Sequence, residues 1–175
     1  ISESNEEMFD HVIFACHSDQ SLKILDKPTQ HEKLNLLKIR YKKNIVWLHS
    51  DEEFMPKRKS VWSSWNYMNN NDNKTNSLSV TYWMNNLQNL KTREDIFVSL
   101  NPIKEPKKEK VYKKLIYSHP LFDANTISGQ KGLLDIQGEN NTWFCGAYLG
   151  NGFHEDGIKS GLSVAESLGK KKRPW

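Results

Sequence analysis

The sequence predicts a mixed α/β fold, α+β or α/β in class, in which a mostly antiparallel sheet interrupts an α/β unit. Three observations carry this. The chain opens with a compact β-rich run, Asp10-His11-Val12-Ile13-Phe14-Ala15-Cys16, that feeds a short helical pattern. The middle strings together strand-like runs separated by polar turns. The C-terminal part returns to strand, turn and helix, and all nine glycines of the chain lie there, at or after Gly129.

Each element follows from local pattern. Ser18 or Asp19 is placed to cap a helix carrying Leu22 and Leu25 on one face, and Pro28 ends the opening unit. A second helix is predicted from His31 to about Ile39, with Leu34, Leu37 and Lys38 near its apolar face. Strands are predicted over Asn44–Ser50, Val61–Tyr67, Ser77–Met84, Ile96–Leu100 and Val111–Tyr117. Asn69-Asn70-Asn71-Asp72-Asn73, Asn101-Pro102 and Glu105-Pro106 break the chain between them. From His119-Pro120 onward a helical or irregular piece, Thr126–Ile136, leads to a strand over Thr142–Tyr148. A final helix follows from about Glu155 to Leu168, with Ile158, Leu162 and Ala165 on one face. Gly157 and Gly161 within it are poor helix formers, about 1 kcal/mol worse than Ala. Their spacing predicts close contact with a strand, a ligand or another helix.

Composition narrows the classes. A net charge of +4 is mild, and its main sources are Lys107 to Lys114 and Lys170 to Arg173. Tyr112 is the one aromatic residue within these runs, so they read as solvated faces and not as a nucleic-acid site. Weak peripheral attraction to anionic lipid is the most they suggest for a membrane. Cys16 and Cys145 each sit in an apolar run and read as buried free thiols, which suits a reducing, cytoplasmic setting. No spacing of Cys and His suggests a metal. The first residue is Ile1, so the chain is expected to be part of a longer polypeptide.

The most informative stretch is Trp143-Phe144-Cys145-Gly146-Ala147-Tyr148-Leu149-Gly150-Asn151-Gly152-Phe153-His154-Glu155-Asp156-Gly157, running on to Ser160-Gly161. A glycine turn between strand and helix lets backbone N–H groups approach a ligand, and the helix points its positive end at the same spot. These residues resemble the C-terminal flavin motif of the FAD-dependent amine-oxidase superfamily, in its bacterial branch of predicted NAD/FAD-binding oxidoreductases. The resemblance extends to Asp10–Gln20, Trp65-Asn66-Tyr67, Ser79-Val80-Thr81-Tyr82 with Met84-Asn85, and Ser118-His119-Pro120.

The resemblance implies returning parts of an FAD-binding, Rossmann-like domain at 1–27 and 121–175, with an inserted substrate domain at 28–120. It implies FAD as cofactor, contacted by Gly146, Ala147, Gly152, Phe153, His154, Glu155, Asp156 and Gly157. It further implies an oxidoreductase that moves a hydride from a small organic molecule, apolar or lipid-like by the aromatic middle block, to flavin. Trp65, Tyr67, Tyr82 and His119 are the expected cavity residues, and no catalytic base is assigned. The family's N-terminal G-x-G-x-x-G turn does not occur in these residues. The missing N-terminal part of the same polypeptide is therefore an expected partner, without which the segment is expected to be inactive.

The residues leave alternatives open. The glycines also suit a tight turn with no ligand, and His154 reads equally as a flavin neighbour or as a residue fixing the turn. Glu155 and Asp156 also read as ordinary helix-start acids. Trp65, Tyr67 and Tyr82 read as core aromatics, and His119 as a structural histidine. A flavin-dependent isomerase or mutase, or a non-catalytic binding module, are the competing functions.

Overall fold

The computed structural model describes residues 6–69 and 78–174. In chain order it contains β1 (Val12–Phe14), α1 (Ser18–Ile24), α2 (Gln30–Lys38), β2 (Tyr41–His49), β3 (Trp65–Asn69), β4 (Leu78–Trp83), α3 (Met84–Gln88), β5 (Phe97–Leu100), β6 (Val111–Pro120), α4 (Ala124–Asp135), β7 (Thr142–Phe144) and α5 (His154–Gly169). The chain divides into two compact units, Ile1–Tyr41 with Pro120–Trp175, and Lys42–His119. Among the described residues no helix is long and apolar enough to cross a membrane.

In the first unit β1 and β7 run parallel, with Val12, Ile13 and Phe14 opposite Thr142, Trp143 and Phe144. The Phe14 and Phe144 rings stack at 5.6 Å. Around them Leu36, Ile39, Leu133, Ile136 and Tyr148 complete the core, with Leu22 and Leu25 of the α1 region packed against it. Helix α1 is capped by His17 and not by Ser18 or Asp19. Ser18 is fully buried; its hydroxyl donates to the Ile39 carbonyl and its amide to the Tyr41 hydroxyl.

Helix α2 belongs to this unit, so the division falls after Tyr41 and not before Pro28. It turns Leu36 and Glu32 inward and leaves Leu34 and Leu37 exposed, against the face expected from the sequence. The reason is its partner. Gly129 of α4 brings the two helices so close that a Cβ there would lie 2.9 Å from the Asn35 carbonyl oxygen and from Lys38 Cβ. Glu32 is buried because it closes a capping box, accepting from the Thr29 amide while its own amide donates to the Thr29 hydroxyl. Gly129→Ala is expected to destabilise the unit by about 1–3 kcal/mol through overpacking. An unchanged urea-unfolding midpoint would show that the helices have room to part.

The second unit is a five-stranded sheet of order β3-β4-β5-β2-β6. The pairs β3/β4, β4/β5 and β2/β5 are antiparallel. Strand β3 starts only at Trp65, because Lys59–Val61 form a 3-10 turn, and the short helix α3 was not foreseen. Opposed residues share a face. One face carries Trp47, His49, Asn66, Thr81, Phe97 and Ser99, all buried, with Phe54 edge-on to His49 at 4.8 Å. Trp62 packs inside too, edge-on to Trp83 and to Phe97. A polar ladder crosses this core. The Asp51 amide donates to His49 Nδ1 at 3.1 Å, so the ring proton lies on Nε2 and reaches Ser99 Oγ at 2.8 Å. Ser99 in turn bonds Thr81 Oγ1 at 2.7 Å. The asparagine-rich run at 70–73 lies outside the described residues.

Candidate functional site

Every residue of the expected flavin contact set lies on one continuous strand–turn–helix segment of the first unit. The strand is shorter than expected. It stops at Phe144, and Gly146, at φ +150°, turns the chain into a 3-10 turn over Ala147–Leu149. A second sharp bend follows at Gly152, φ +91°, before α5 begins at His154.

The glycines are explained by the segment's own side chains. A Cβ at Gly146 would meet the Tyr148 ring at 2.8 Å, and one at Gly152 the Phe122 ring at 2.9 Å. At Gly150 the Asp156 carboxylate fills that space, and Gly157 comes into ordinary contact with Ala147. A Cβ at Gly161 would meet nothing within 4 Å and one at Gly157 would find room, so the close approach expected of the two helix glycines is not seen among the described residues. On α5 Val164 is buried, while Ile158 and Ala165 point outward. The line Gly157–Ser160–Val164 faces the turn instead of Ile158–Leu162–Ala165.

Three polar side chains hold this backbone. Asp156 Oδ2 accepts from the amides of Asn151 (3.0 Å) and Phe153 (2.9 Å), so its carboxylate braces the turn. Ser160 Oγ accepts from the Gly146 amide at 2.9 Å and donates to the Gly157 carbonyl at 2.8 Å. Gln130 Nε2 donates to the carbonyls of Tyr148 (2.9 Å) and Gly150 (2.7 Å). Ser160 was visible as part of the quoted motif. Gln130, on α4, has no local signal that could have marked it.

What remains open is a set of donors. The Leu149, Gly150, Gly152, Asp156 and Gly157 amides have backbone acceptors within the segment. Among the described residues the amides of Ala147, Tyr148, His154 and Glu155 have none. The latter two form the first turn of a 16-residue helix, whose dipole adds positive potential there. The side chains of Phe153, His154 and Glu155 are exposed and make no bond that ties them to the turn. Four neutral donors and a helix N-terminus suit an acceptor-rich group that gathers negative charge. No donor set for a pyrophosphate accompanies them in the sequence.

Among the described residues strand β7 has one edge paired with a strand and one that is not. The Cys145 amide bonds to Phe14 of β1, so the Phe144 amide and carbonyl face the other way. Both are met by one side chain: the Phe144 amide donates to Gln137 Oε1 at 2.9 Å, and Gln137 Nε2 donates to the Phe144 carbonyl at 2.7 Å. A cavity of about 450 Å³ opens here, lined by Leu134, Gln137, Phe144, Leu149, Ser160 and Val164 among others.

Cys145 is buried and free, and burial pushes its thiol pKa up, which favours the thiol over the thiolate. Cys16 is free and half-buried, its Sγ 3.4 Å from Ser21 Oγ. The Tyr148 hydroxyl is buried without a partner among the described residues, and desolvation drives its pKa upward. Among the described residues no group of three or more His, Cys, Asp or Glu side chains is placed to hold a metal ion.

In the second unit the expected cavity residues separate. Trp65 and Tyr82 are opposed on β3 and β4, with rings edge-on at 5.4 Å. Tyr67 lies on the same face, opposite Val80. Trp65 and Tyr67 are 45% and 59% exposed, too open for core residues. Burial raises the Tyr82 pKa. The rows continue through Val98 and Leu48, and through Leu100 and Val46, so across β3, β4, β5 and β2 these two rows carry no charged residue. His119 stands apart from the trio. It belongs to β6, at the opposite edge of the sheet from β3, roughly 19 Å away at the usual strand spacing. No family model matches this chain and no curated protein matches it, so the likeness to the amine-oxidase superfamily stands on the residues quoted above.

Proposed function

We propose that this chain is the flavin-ring and substrate-binding part of an FAD-dependent oxidoreductase of the amine-oxidase type, acting on an organic, apolar or lipid-like substrate. The carrying observation is the set of four amides without acceptors, at Ala147, Tyr148, His154 and Glu155, on a turn whose other amides from Gly146 to Gly157 are already bonded. When bound, FAD would supply the hydride acceptor. The chain's own part is electrostatic. Asp156, Ser160 and Gln130 fix the turn beforehand, so the amides and the start of α5 can meet negative charge without reorganising.

The finer architecture is part of the proposal. The first unit would be the returning part of an FAD-binding domain, and the second unit the inserted substrate domain. The outer edge of β7 and the cavity beside it suit a further strand, carried with a pyrophosphate cradle by the segment that the resemblance puts ahead of Ile1. Gln137 would give up its two bonds to Phe144 as that strand paired. In the second unit the uncharged rows around Trp65, Tyr67 and Tyr82 favour an apolar substrate over a strongly charged one.

Absorbance of the polypeptide with its dinucleotide-binding segment tests this. Two visible flavin bands that bleach with dithionite are expected. His154→Pro removes one open amide at the first helical position, where proline is accommodated. It is expected to weaken FAD binding about tenfold, the worth of one hydrogen bond to a charged group, with little change in unfolding midpoint. A colourless protein that ignores added FAD would overturn the proposal.

A further inference from the structure

Where the chain enters and leaves the second unit, hydrogen bonds run in one direction and end on an exposed imidazole. The Ile45 amide donates to Asn101 Oδ1 at 2.9 Å. Asn101 Nδ2 then donates to Asn44 Oδ1 at 2.7 Å. That leaves Asn44 Nδ2 facing the Lys42 carbonyl at 3.1 Å and His119 Nδ1 at 2.8 Å. A backbone N–H can only donate, so the first bond sets the orientation of both side-chain amides. His119 Nδ1 must accept, and the ring proton sits on Nε2.

We infer that His119 is a ligand-binding group, held as its Nε2–H tautomer to donate one hydrogen bond to an oxygen atom of an otherwise apolar molecule. The ring is exposed, and among the described residues Nε2 has no partner. An exposed imidazole in water needs no fixed tautomer for the fold, yet two asparagines are committed to fixing this one. Asn101 does so from a left-handed backbone conformation, φ +46°, which asparagine tolerates better than most residues. Asn44 is two residues from Val46 and four from Leu48 on β2, so the donor lies at the rim of the uncharged rows. The Tyr117 ring stands edge-on to His119 at 6.4 Å. An ammonium group has no lone pair to offer an N–H donor; a carbonyl or hydroxyl oxygen does.

The inference rests on the second unit being the substrate-binding part and narrows the substrate to an apolar molecule bearing an oxygen acceptor. Its test uses no flavin, so the two readings fail separately. In a long-range proton–nitrogen spectrum of the whole chain, His119 is expected to show a pyridine-like Nδ1 and a pyrrole-like Nε2. Cyclohexanone is expected to shift the Nε2 resonance saturably, and cyclohexylammonium to leave it in place. Asn44→Asp offers Nδ1 a carboxylate acceptor, which moves the proton to Nδ1 and turns Nε2 from donor to acceptor. Cyclohexanone binding then falls about tenfold or more, while the other histidine resonances hold their positions and report an intact fold. Asn101→Ala, which frees Asn44 to rotate, is expected to give mixed tautomers and a weakened response. A wild-type ring that exchanges between tautomers, or an undiminished cyclohexanone response in both variants, overturns the inference.

Discussion

Phe144→Ala is expected to destabilise the first unit by about 3–5 kcal/mol, the usual cost of truncating a fully buried phenylalanine. Phe144 is 1% exposed, stacks on Phe14 and touches the core that Leu36, Leu133 and Tyr148 share. A three-residue strand pair cannot spread that loss, because parallel sheets of this size depend on burial for their stability. The cavity would open directly before Gly146, so the turn and its open amides should loosen with the core. At about 4–8 °C per kcal/mol for a unit of this size, the melting temperature should drop by roughly 15 °C or more. Calorimetry would measure it, and a drop of only a few degrees would mean that the core closes over the gap.

Acid should weaken the second unit through a buried histidine. His49 is fully buried, and desolvation lowers its pKa from 6.5 to about 4, partly opposed by the Asp51 charge. Protonation would set a new Nδ1–H against the Asp51 amide that now donates to that nitrogen. Because the folded pKa lies below the unfolded one, the stabilisation is complete above pH 6.5 and is lost as pH falls towards 4. The loss comes to about 3 kcal/mol. The exposed Glu53, held near 2 by Lys104 and Lys107, responds only below this window. Urea unfolding followed through the tryptophans at 47, 62, 65 and 83 would show a falling midpoint between neutral pH and pH 4. His49→Gln should flatten that slope. A wild-type midpoint that holds steady through the window would refute the assignment.

The glycine turn and the strand series were legible because local chemistry sets them. Gly146 and Gly152 adopt backbone angles that few other residues accept, and alternation over Leu78–Trp83 sets which side chains oppose Trp65 and Tyr67. Facing choices were not legible where a distant partner decides. Leu36, and not Leu34, is buried because Gly129, far along the chain, lets α4 approach that side of α2. The bracing role of Asp156 was not legible either, since it shows only once the turn folds back and brings the Asn151 and Phe153 amides to its carboxylate. His119 and Trp65 were expected to share a cavity, and only the strand order shows that they lie on opposite edges of the sheet.

The first unit is assembled from two stretches of chain that are far apart, while the second is continuous from Lys42 to His119. During synthesis β1 therefore emerges long before β7, its only strand partner in the described residues. Leu36 and Ile39 likewise wait for Leu133 and Ile136. The second unit can fold from its own residues in that interval, and its completion shortens the loop whose closure costs entropy. The glycine turn is held by side chains from α4 and α5, so it cannot order before α5 has emerged. Until then α2 carries its apolar side uncovered, and the nascent chain is most vulnerable to aggregation between the appearance of α2 and that of α4.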